Sequence, residues 1–434
     1  MHDTKPQPER AFLLQPQERR LSRERAEGLL DELMHLASGT GLEVVSSRIS
    51  PVSRVHPGTY LGQGTVASLR EQMEAEGIDV LVFNTGLSPV QQRNLERALK
   101  VKVVDRTGLI LEIFAARART REGRLQVELA LLLYQQSRLV RSWTHLERQR
   151  GGVGLRGGPG ETQLEVDRRL IRERIRQLET ALEQVKRTRG LHRQERQEVP
   201  FATVALVGYT NAGKSTLFNR LTGAEVLAQD RLFATLDPTM RGLRLPGGSH
   251  VILSDTVGFI RELPHSLVAA FRATLEEVRE ADMLLHVVDL SDGEFREQME
   301  AVDAVLEELQ VSGKPMLVVY NKVDRLSAES CGTLLGEREG EAPLVISART
   351  GEGLPRMLEV LEERLSRSWR RFHLELPVTE GELLATLFRC GRVLEQREGE
   401  ETLSLTVSLP EAAAGRLFSR LTPFLKSGNA ARGG

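Results

Sequence analysis

The chain contains 434 residues, a length that favours two to four domains. Apolar residues make up 40% and charged residues 27%, which is ordinary for a globular protein with buried cores. The formal net charge is -1, so a nucleic-acid partner would need a local basic region. The two cysteines give neither a disulfide framework nor a metal-binding spacing. Because the sequence shows no secretory leader and no membrane span, we expect a cytoplasmic protein.

Residues 11–105 alternate short apolar runs with helical patterns. Strands are predicted at 11–14, 42–49, 80–83 and 101–105. Helices are predicted between them at 20–36, 65–76 and 89–99. This alternation predicts a small α/β domain over residues 1–106 with a mainly parallel sheet.

A helical region follows over residues 107–197, interrupted by a glycine-rich segment at 151–160. The six glycines and one proline of that segment predict a flexible loop. Helix is expected from 109 to 146 and again from 161 to 190. The second helix has a seam typical of a coiled coil, formed by Ile171, Ile175, Leu178, Leu182 and Val185. A helical hairpin with the loop at its tip is the simplest structure, and one amphipathic helix packed on a neighbouring domain is the alternative.

The hairpin region is basic. Residues 138–196 contain 15 Lys and Arg against 8 Asp and Glu, within a chain of net charge -1. A solvated helix face explains such a charge run, and a surface that contacts RNA explains it as well.

Two further domains are predicted. Residues 198–369 alternate strands and helices, as in an open α/β sheet. The strands are expected at 203–207, 251–254, 284–288, 316–320 and 343–346. Residues 370–434 predict a small α+β domain with two short strands and an amphipathic helix. The fold class is therefore multidomain α/β, with an N-terminal α/β domain, a helical hairpin, a central phosphate-loop domain and a small C-terminal α+β domain.

A phosphate loop of the pattern G-x-x-x-x-G-K-[ST] follows the first strand of the central domain. It consists of Gly208, Tyr209, Thr210, Asn211, Ala212, Gly213, Lys214 and Ser215. Glycines allow backbone N–H groups to surround phosphates, and the helix that begins here adds its positive dipole end. We expect Lys214 to reach the β- and γ-phosphates and Ser215 to bind Mg²⁺.

A second motif ends the next strand of the domain and consists of Asp255, Thr256, Val257 and Gly258. The carboxylate of Asp255 is expected to contact Mg²⁺ through water, and Gly258 to donate its N–H to the γ-phosphate. The pattern Asp-x-x-Gly is common in isolation. Its position after a phosphate loop and at a strand end makes it specific.

The third and fourth motifs predict that the base is guanine. They consist of Asn321, Lys322, Val323 and Asp324, followed by Ser347, Ala348 and Arg349. A carboxylate such as Asp324 can accept hydrogen bonds from N1 and N2 of guanine together. Adenine lacks that pair of donors and would leave the buried carboxylate unpaired. The chain is thus predicted to bind GTP.

A switch loop is expected between the phosphate loop and Asp255, because the metal also needs a threonine from a mobile segment. Thr235 and Thr239 are both candidates. The position after Gly258, where many GTPases have a glutamine that orients water, is Phe259. No catalytic residue is therefore assigned, and intrinsic hydrolysis is expected to be slow.

Three segments resemble the HflX family of GTPases related to translation factors. They are Phe-Ala-Thr-Leu-Asp-Pro-Thr at 233–239, Asp-Thr-Val-Gly-Phe-Ile at 255–260, and Gly-Gly-Pro-Gly-Glu-Thr-Gln-Leu at 157–164. The resemblance extends over nearly the whole chain. It implies Mg²⁺ ligands at Ser215 and Thr235, and it places Phe233, Ala234, Thr235, Leu236 and Asp237 among the residues at the nucleotide.

The resemblance further implies a function on ribosomes. Members of the family bind the large ribosomal subunit and are linked to splitting stalled or idle ribosomes under stress. The hairpin would direct its loop towards the peptidyl-transferase region, with ribosomal RNA contacted through residues 138–196. A monomeric GTPase in the cytoplasm is expected, stimulated by the ribosome and associated with ribosomes or peripherally with the membrane.

Two other functions remain open on the sequence. One is an ATP- or GTP-dependent RNA-remodelling factor with a second nucleotide site in the N-terminal domain, although residues 1–150 contain no second phosphate loop. The other is an RNA-binding module in which GTP only stabilises the fold. RNA binding that is indifferent to the nucleotide would distinguish this last function.

Overall fold

The computed structural model describes residues 8–141, 163–196, 201–224, 233, 235, 239–261, 272–335, 342–367, 369–399 and 401–426. The chain divides into two compact units. Unit 1 comprises Met1–Val185, Arg231–Phe233 and Glu262–Phe271. Unit 2 comprises Lys186–Asp230, Ala234–Arg261 and Arg272–Gly434. The boundaries of the four domains derived from the sequence stay a prediction.

Unit 1 begins with a four-stranded parallel sheet in the order β2-β1-β3-β4. Its strands are β1 (Arg10–Glu18), β2 (Glu43–Val52), β3 (Val80–Phe83) and β4 (Lys102–Asp105). The helices between them are α1 (Arg23–Ser38), α2 (Gln63–Glu76) and α3 (Pro89–Leu99). The predicted parallel α/β arrangement is confirmed.

Helix α3 begins where the sequence predicts, for a local reason. The hydroxyl of Ser88 accepts the N–H of Gln91 at 3.2 Å, and the side chain of Gln91 accepts the N–H of Ser88 at 2.9 Å. This reciprocal capping satisfies two backbone donors that the helix leaves unpaired. Pro89 occupies the first helical position, where no backbone donor is needed.

The helical region differs from its prediction at one point. One helix was expected from 109 to 146, but the structure has α4 (Arg106–Arg117) and α5 (Arg121–Arg141). The chain is extended at Ala118, and the hydroxyl of Thr120 accepts the N–H of Gly123 at 2.9 Å. Thr120 therefore caps a new helix, and side-chain capping of this kind competes with continued helix.

Helix α6 (Gln163–Arg196) follows, and within unit 1 it packs against α5. Leu129 of α5 and Ile175 and Leu178 of α6 form the buried part of their shared apolar cluster. Arg174 and Glu128 form an ion pair across it at 2.7 Å. Packing between two successive helices favours the hairpin over one amphipathic helix packed on a neighbouring domain. The tip at 151–160 lies outside the described residues.

Helix α5 is joined to the end of β4 by a buried carboxylate. Asp105 is 1% exposed and accepts hydrogen bonds from the hydroxyl of Tyr134 at 2.5 Å and the guanidinium of Arg138 at 2.6 Å. It also accepts the N–H groups of Leu87 and Gly108 at 3.0 and 2.9 Å. The carboxylate thus connects the sheet with two successive helices of unit 1.

Unit 2 contains a six-stranded sheet in the order β10-β9-β8-β5-β7-β6. Its strands are β5 (Ala202–Val207), β6 (Thr239–Arg244), β7 (His250–Asp255), β8 (Met283–Asp289), β9 (Met316–Asn321) and β10 (Leu344–Val345). Its helices are α7 (Lys214–Thr222), α8 (Arg272–Glu280), α9 (Phe295–Glu308), α10 (Ala328–Leu335) and α11 (Leu354–Arg367). The five predicted strands are present. The sequence missed β6, which is antiparallel to β7 and has too few apolar residues to be predicted alone.

The C-terminal part of unit 2 contains more strands and helices than predicted. Two strands and one helix were expected. The structure has β11 (Arg370–Pro377), α12 (Gly381–Cys390), β12 (Arg392–Glu398), β13 (Thr402–Leu409) and α13 (Glu411–Leu421). The strands form an antiparallel sheet in the order β11-β13-β12. The exposed face of β12 explains why its pattern is weak.

Replacing Asp105 with alanine tests the connection between the sheet and α5. The variant leaves Arg138 and two backbone donors without their buried acceptor, which costs about 3 kcal/mol or more. Hydrogen–deuterium exchange of the intact protein should show faster exchange in β4 and α5. Glu74→Ala, which removes only an exposed ion pair with Arg70, is the control. Equal protection in both variants would contradict the role given to Asp105.

Candidate nucleotide site

The phosphate loop at residues 208–215 connects the end of β5 with the start of α7. Two of its glycines have no room for a side chain. A Cβ on Gly208, whose φ is +148°, would lie 2.2 Å from the carbonyl oxygen of Val287. A Cβ on Gly213, with φ at +96°, would lie 2.2 Å from the side-chain nitrogen of Asn321. Only glycine therefore fits at these two positions, because a side chain would clash with the neighbouring atoms.

Lys214 is buried beneath this loop. Its Nζ donates to the carbonyl oxygens of Gly208 at 3.0 Å and Tyr209 at 2.7 Å. Burial lowers the pKa of Lys214 to about 8, although the carboxylate of Asp255 opposes that effect. Two backbone carbonyl groups thus hold the ammonium at the base of the loop, where it can bind an anion.

Three oxygen-bearing side chains meet beside Lys214. The hydroxyls of Ser215 and Thr235 donate to one carboxylate oxygen of Asp255 at 2.7 and 2.8 Å, and they lie 2.7 Å from each other. Burial raises the pKa of Asp255, while hydrogen bonds from both hydroxyls lower it in part. Its other carboxylate oxygen is buried without a partner among the residues that the structure describes. Thr239, the rival candidate, lies in β6 opposite Asp255 in the sheet.

The loop after Asp255 lies directly against the phosphate loop. A Cβ on Gly258 would lie 2.9 Å from Cα of Thr210 and 3.0 Å from Nζ of Lys214. The N–H of Thr210 donates to the carbonyl of Phe259 at 2.7 Å, and the N–H of Phe259 donates to the carbonyl of Gly208 at 3.1 Å. Phe259 itself is 1% exposed. Its side chain is thus buried in the core.

Asn321 joins the phosphate loop to the fourth motif. Its side-chain nitrogen donates to the carbonyl of Ala212 at 2.8 Å, and its side-chain oxygen accepts the N–H of Ala348 at 2.9 Å. The sequence placed Asn321 near the base. The structure adds that one amide holds two of the predicted binding segments together.

Lys322 and Asp324 are each held by a second side chain. The ammonium of Lys322 pairs with the carboxylate of Asp289 at 2.7 Å, and Asp324 accepts the hydroxyl of Ser347 at 2.6 Å. Sequence reasoning missed Asp289. Its position at the end of β8 was the available signal, because side chains at strand ends line sites in open α/β sheets.

The other predicted residues have varied positions. Ala212, Thr256, Val257, Val323 and Ala348 are buried, Asn211 is half-buried and Arg349 is exposed. Phe233 belongs to unit 1, where its ring packs on Phe114 with centroids 4.5 Å apart and its carbonyl accepts from Arg117 at 2.7 Å. Ala234, Leu236 and Asp237 lie outside the described residues.

This combination of loop, carboxylate and base motif on one sheet edge defines a phosphate-loop GTP-binding enzyme. Family models agree with that class. They match a GTP-binding GTPase N-terminal region at residues 27–115, a GTP-binding GTPase middle region at 117–196 and a 50S ribosome-binding GTPase at 203–322.

Full-length relatives define the family more narrowly. The GTPase HflX of Magnetococcus marinus is 59% identical over 417 residues, covering 96% of each chain. That of Escherichia coli strain K12 is 49% identical, covering 88% of this chain and 89% of the relative. The chain belongs to the HflX family of GTPases, enzymes that hydrolyse GTP. In the part of the chain that the structure describes, no helix is long and apolar enough to cross a membrane.

We expect His286 to make unit 2 sensitive to acid. Burial and, to a lesser extent, nearby Lys214 lower the pKa of His286 to about 4 from its usual 6.5. Between those values the unfolded chain binds a proton that the folded chain does not, so stability falls as the pH falls through this window. The loss at about pH 5 is about 2 kcal/mol.

The measurement is urea unfolding at about pH 7.5 and pH 5, followed by fluorescence of buried Trp369 in a Trp143→Phe background. His286→Leu should lose less stability on acidification than the parent protein. Equal losses in the two proteins would contradict the assignment of the acid sensitivity to His286.

Proposed function

We propose that residues 208–215 bind the phosphates of GTP. The glycines bring backbone N–H groups close to the phosphate oxygens, and the start of α7 adds a positive dipole end. Lys214 is buried, and its ammonium is supported by the carbonyls of Gly208 and Tyr209. Its positive charge would offset the charge of the β- and γ-phosphates.

Ser215, Thr235 and Asp255 would hold Mg²⁺, with Asp255 acting through water. Three hard oxygen donors suit this ion, and the unpartnered buried oxygen of Asp255 needs a positive neighbour. The ion would neutralise charge that develops on the phosphates during hydrolysis. Thr235 is favoured over Thr239 because its hydroxyl contacts both of the other ligands.

Guanine recognition is assigned to Asp324. Its carboxylate would accept hydrogen bonds from N1 and N2 of the base, and Ser347 fixes its orientation. Asn321 and Lys322 line the same site, and Asp289 holds the ammonium of Lys322. A base without both donors would leave the carboxylate unpaired.

Hydrolysis is proposed to be slow in the protein alone. The buried phenyl ring of Phe259 offers no polar atom to an attacking water. The contribution of this chain is then to hold the γ-phosphate through Lys214 and the N–H of Gly258. A partner that orders the site would accelerate the reaction.

The proposed partner is the large ribosomal subunit, which the enzyme would bind in order to split stalled or idle ribosomes under stress. Support comes from the match to a 50S ribosome-binding GTPase model and from the basic helix α6. Arg169, Arg172 and Arg174 are exposed on that helix, where they can contact RNA phosphates. We place this monomeric enzyme in the cytoplasm, on ribosomes or at the membrane surface.

Replacing Asp324 with asparagine tests base recognition. Loss of two charge-assisted hydrogen bonds should weaken GTP binding about 100-fold. The wild type should prefer GTP to inosine triphosphate, which lacks the N2 amino group, and the variant should lose that preference. Glu329→Gln changes an exposed carboxylate on a neighbouring helix and serves as control. An unchanged preference for GTP would refute the assignment.

Deleting residues 151–160 tests the role of the hairpin. The shortened protein should hydrolyse GTP at the intrinsic rate because the deletion spares the nucleotide motifs. It should fail to split ribosomes, as followed by sucrose-gradient profiles in the presence of GTP. Splitting at the parent rate would show that these residues are not the effector.

A further inference from the structure

The loop that follows Asp255 is joined to the phosphate loop by its main chain. Tyr209 and Phe259 form a parallel β-bridge, with hydrogen bonds of 2.7 and 3.1 Å that involve the neighbouring residues Thr210 and Gly208. These bonds hold the loop at residue 259. Other contacts hold the chain two residues further along, at Arg261.

Among the residues that the structure describes, both the main chain and the side chain of Arg261 have a partner. Its backbone N–H donates to the hydroxyl of Tyr209 at 3.1 Å, and its guanidinium pairs with the carboxylate of Glu294 at 2.7 Å. The ring of Tyr209 is 4% exposed, so its hydroxyl has a fixed position. Glu294 immediately precedes α9 and is therefore carried by a regular element. One contact fixes the main chain and the other fixes the side chain.

These contacts matter because the loop that follows Asp255 packs tightly against the phosphate loop. Gly258 lies so close to Lys214 and Thr210 that a single methyl group would clash at about 3 Å. A displacement of the loop would therefore move the N–H of Gly258 away from the γ-phosphate. Phe259 has no polar side chain to correct such a displacement. Hydrolysis then depends on how firmly the loop is held.

We propose that Tyr209 and Glu294 are positioning residues for GTP hydrolysis, acting together through Arg261. Tyr209 lies in the phosphate loop, but its hydroxyl accepts a hydrogen bond from the main chain of the neighbouring loop. Glu294 belongs to none of the four nucleotide motifs. The inference rests on the proposed binding of the γ-phosphate by Lys214 and Gly258.

The test compares Tyr209→Phe and Glu294→Gln, both of which keep the shape of the side chain. Loss of the hydrogen bond to Tyr209, or of the ion pair with Glu294, should lower kcat about fivefold. The KM for GTP and the affinity and stoichiometry for GDP should not change, because the phosphate loop itself is intact. The double variant should lose less than the product of the single losses, since both contacts act through Arg261.

Tyr60→Phe is the matched control, because it removes a hydroxyl that donates to Glu18 at 2.6 Å in unit 1. It should turn over GTP at the parent rate. A kcat of Tyr209→Phe equal to that of the parent would overturn the proposal. A joint fall of kcat and GDP stoichiometry in both single variants would also overturn it, because that result indicates a structural role.

If Tyr209→Phe alone fails to bind GDP stoichiometrically, its kcat is set aside. The proposal is then judged on the kcat and GDP stoichiometry of Glu294→Gln. Failure of the underlying site is recognised separately through Lys214→Ala. If that variant keeps the GTP affinity of the parent, the phosphate-loop assignment is wrong, whatever the two positioning variants show.

Discussion

Burying the carboxylate of Asp255 costs free energy that its surroundings must offset. Two hydroxyls donate to one of its oxygens, and the ammonium of Lys214 lies close enough to lower its pKa in part. Burial still prevails and the pKa is raised. The remaining oxygen has no hydrogen-bond partner among the described residues, and this buried oxygen is the reason for proposing a cation beside Ser215 and Thr235.

A second constraint is the close approach of three glycines to neighbouring backbone or side-chain atoms. Gly208, Gly213 and Gly258 each lie where a Cβ would meet another atom at 3 Å or less. Asn321 uses that closeness to connect the phosphate loop with the loop at Ala348. The Asn321 amide thus links the segment predicted to bind phosphate with a segment predicted to contact the base.

Much of this site could be predicted because its motifs are local in sequence and follow apolar strands. Asp255 ends β7, and Lys214 begins α7 after the loop that follows β5. What the sequence did not show depends on contacts between distant segments. The antiparallel strand β6 exists through pairing with β7, and the role of Asp289 depends on Lys322 in another loop. The break before α5 was missed because Thr120 acts through a capping bond that the apolar pattern does not report.

The central claim is that a guanine-specific switch responds to the large ribosomal subunit. The most direct measurement is the turnover of GTP and of ATP by the purified protein, with and without large subunits. The account predicts strong stimulation of GTP turnover and no change with ATP. GTP turnover that is indifferent to the subunit would contradict the ribosomal role, and stimulated ATP turnover would contradict the base recognition assigned to Asp324.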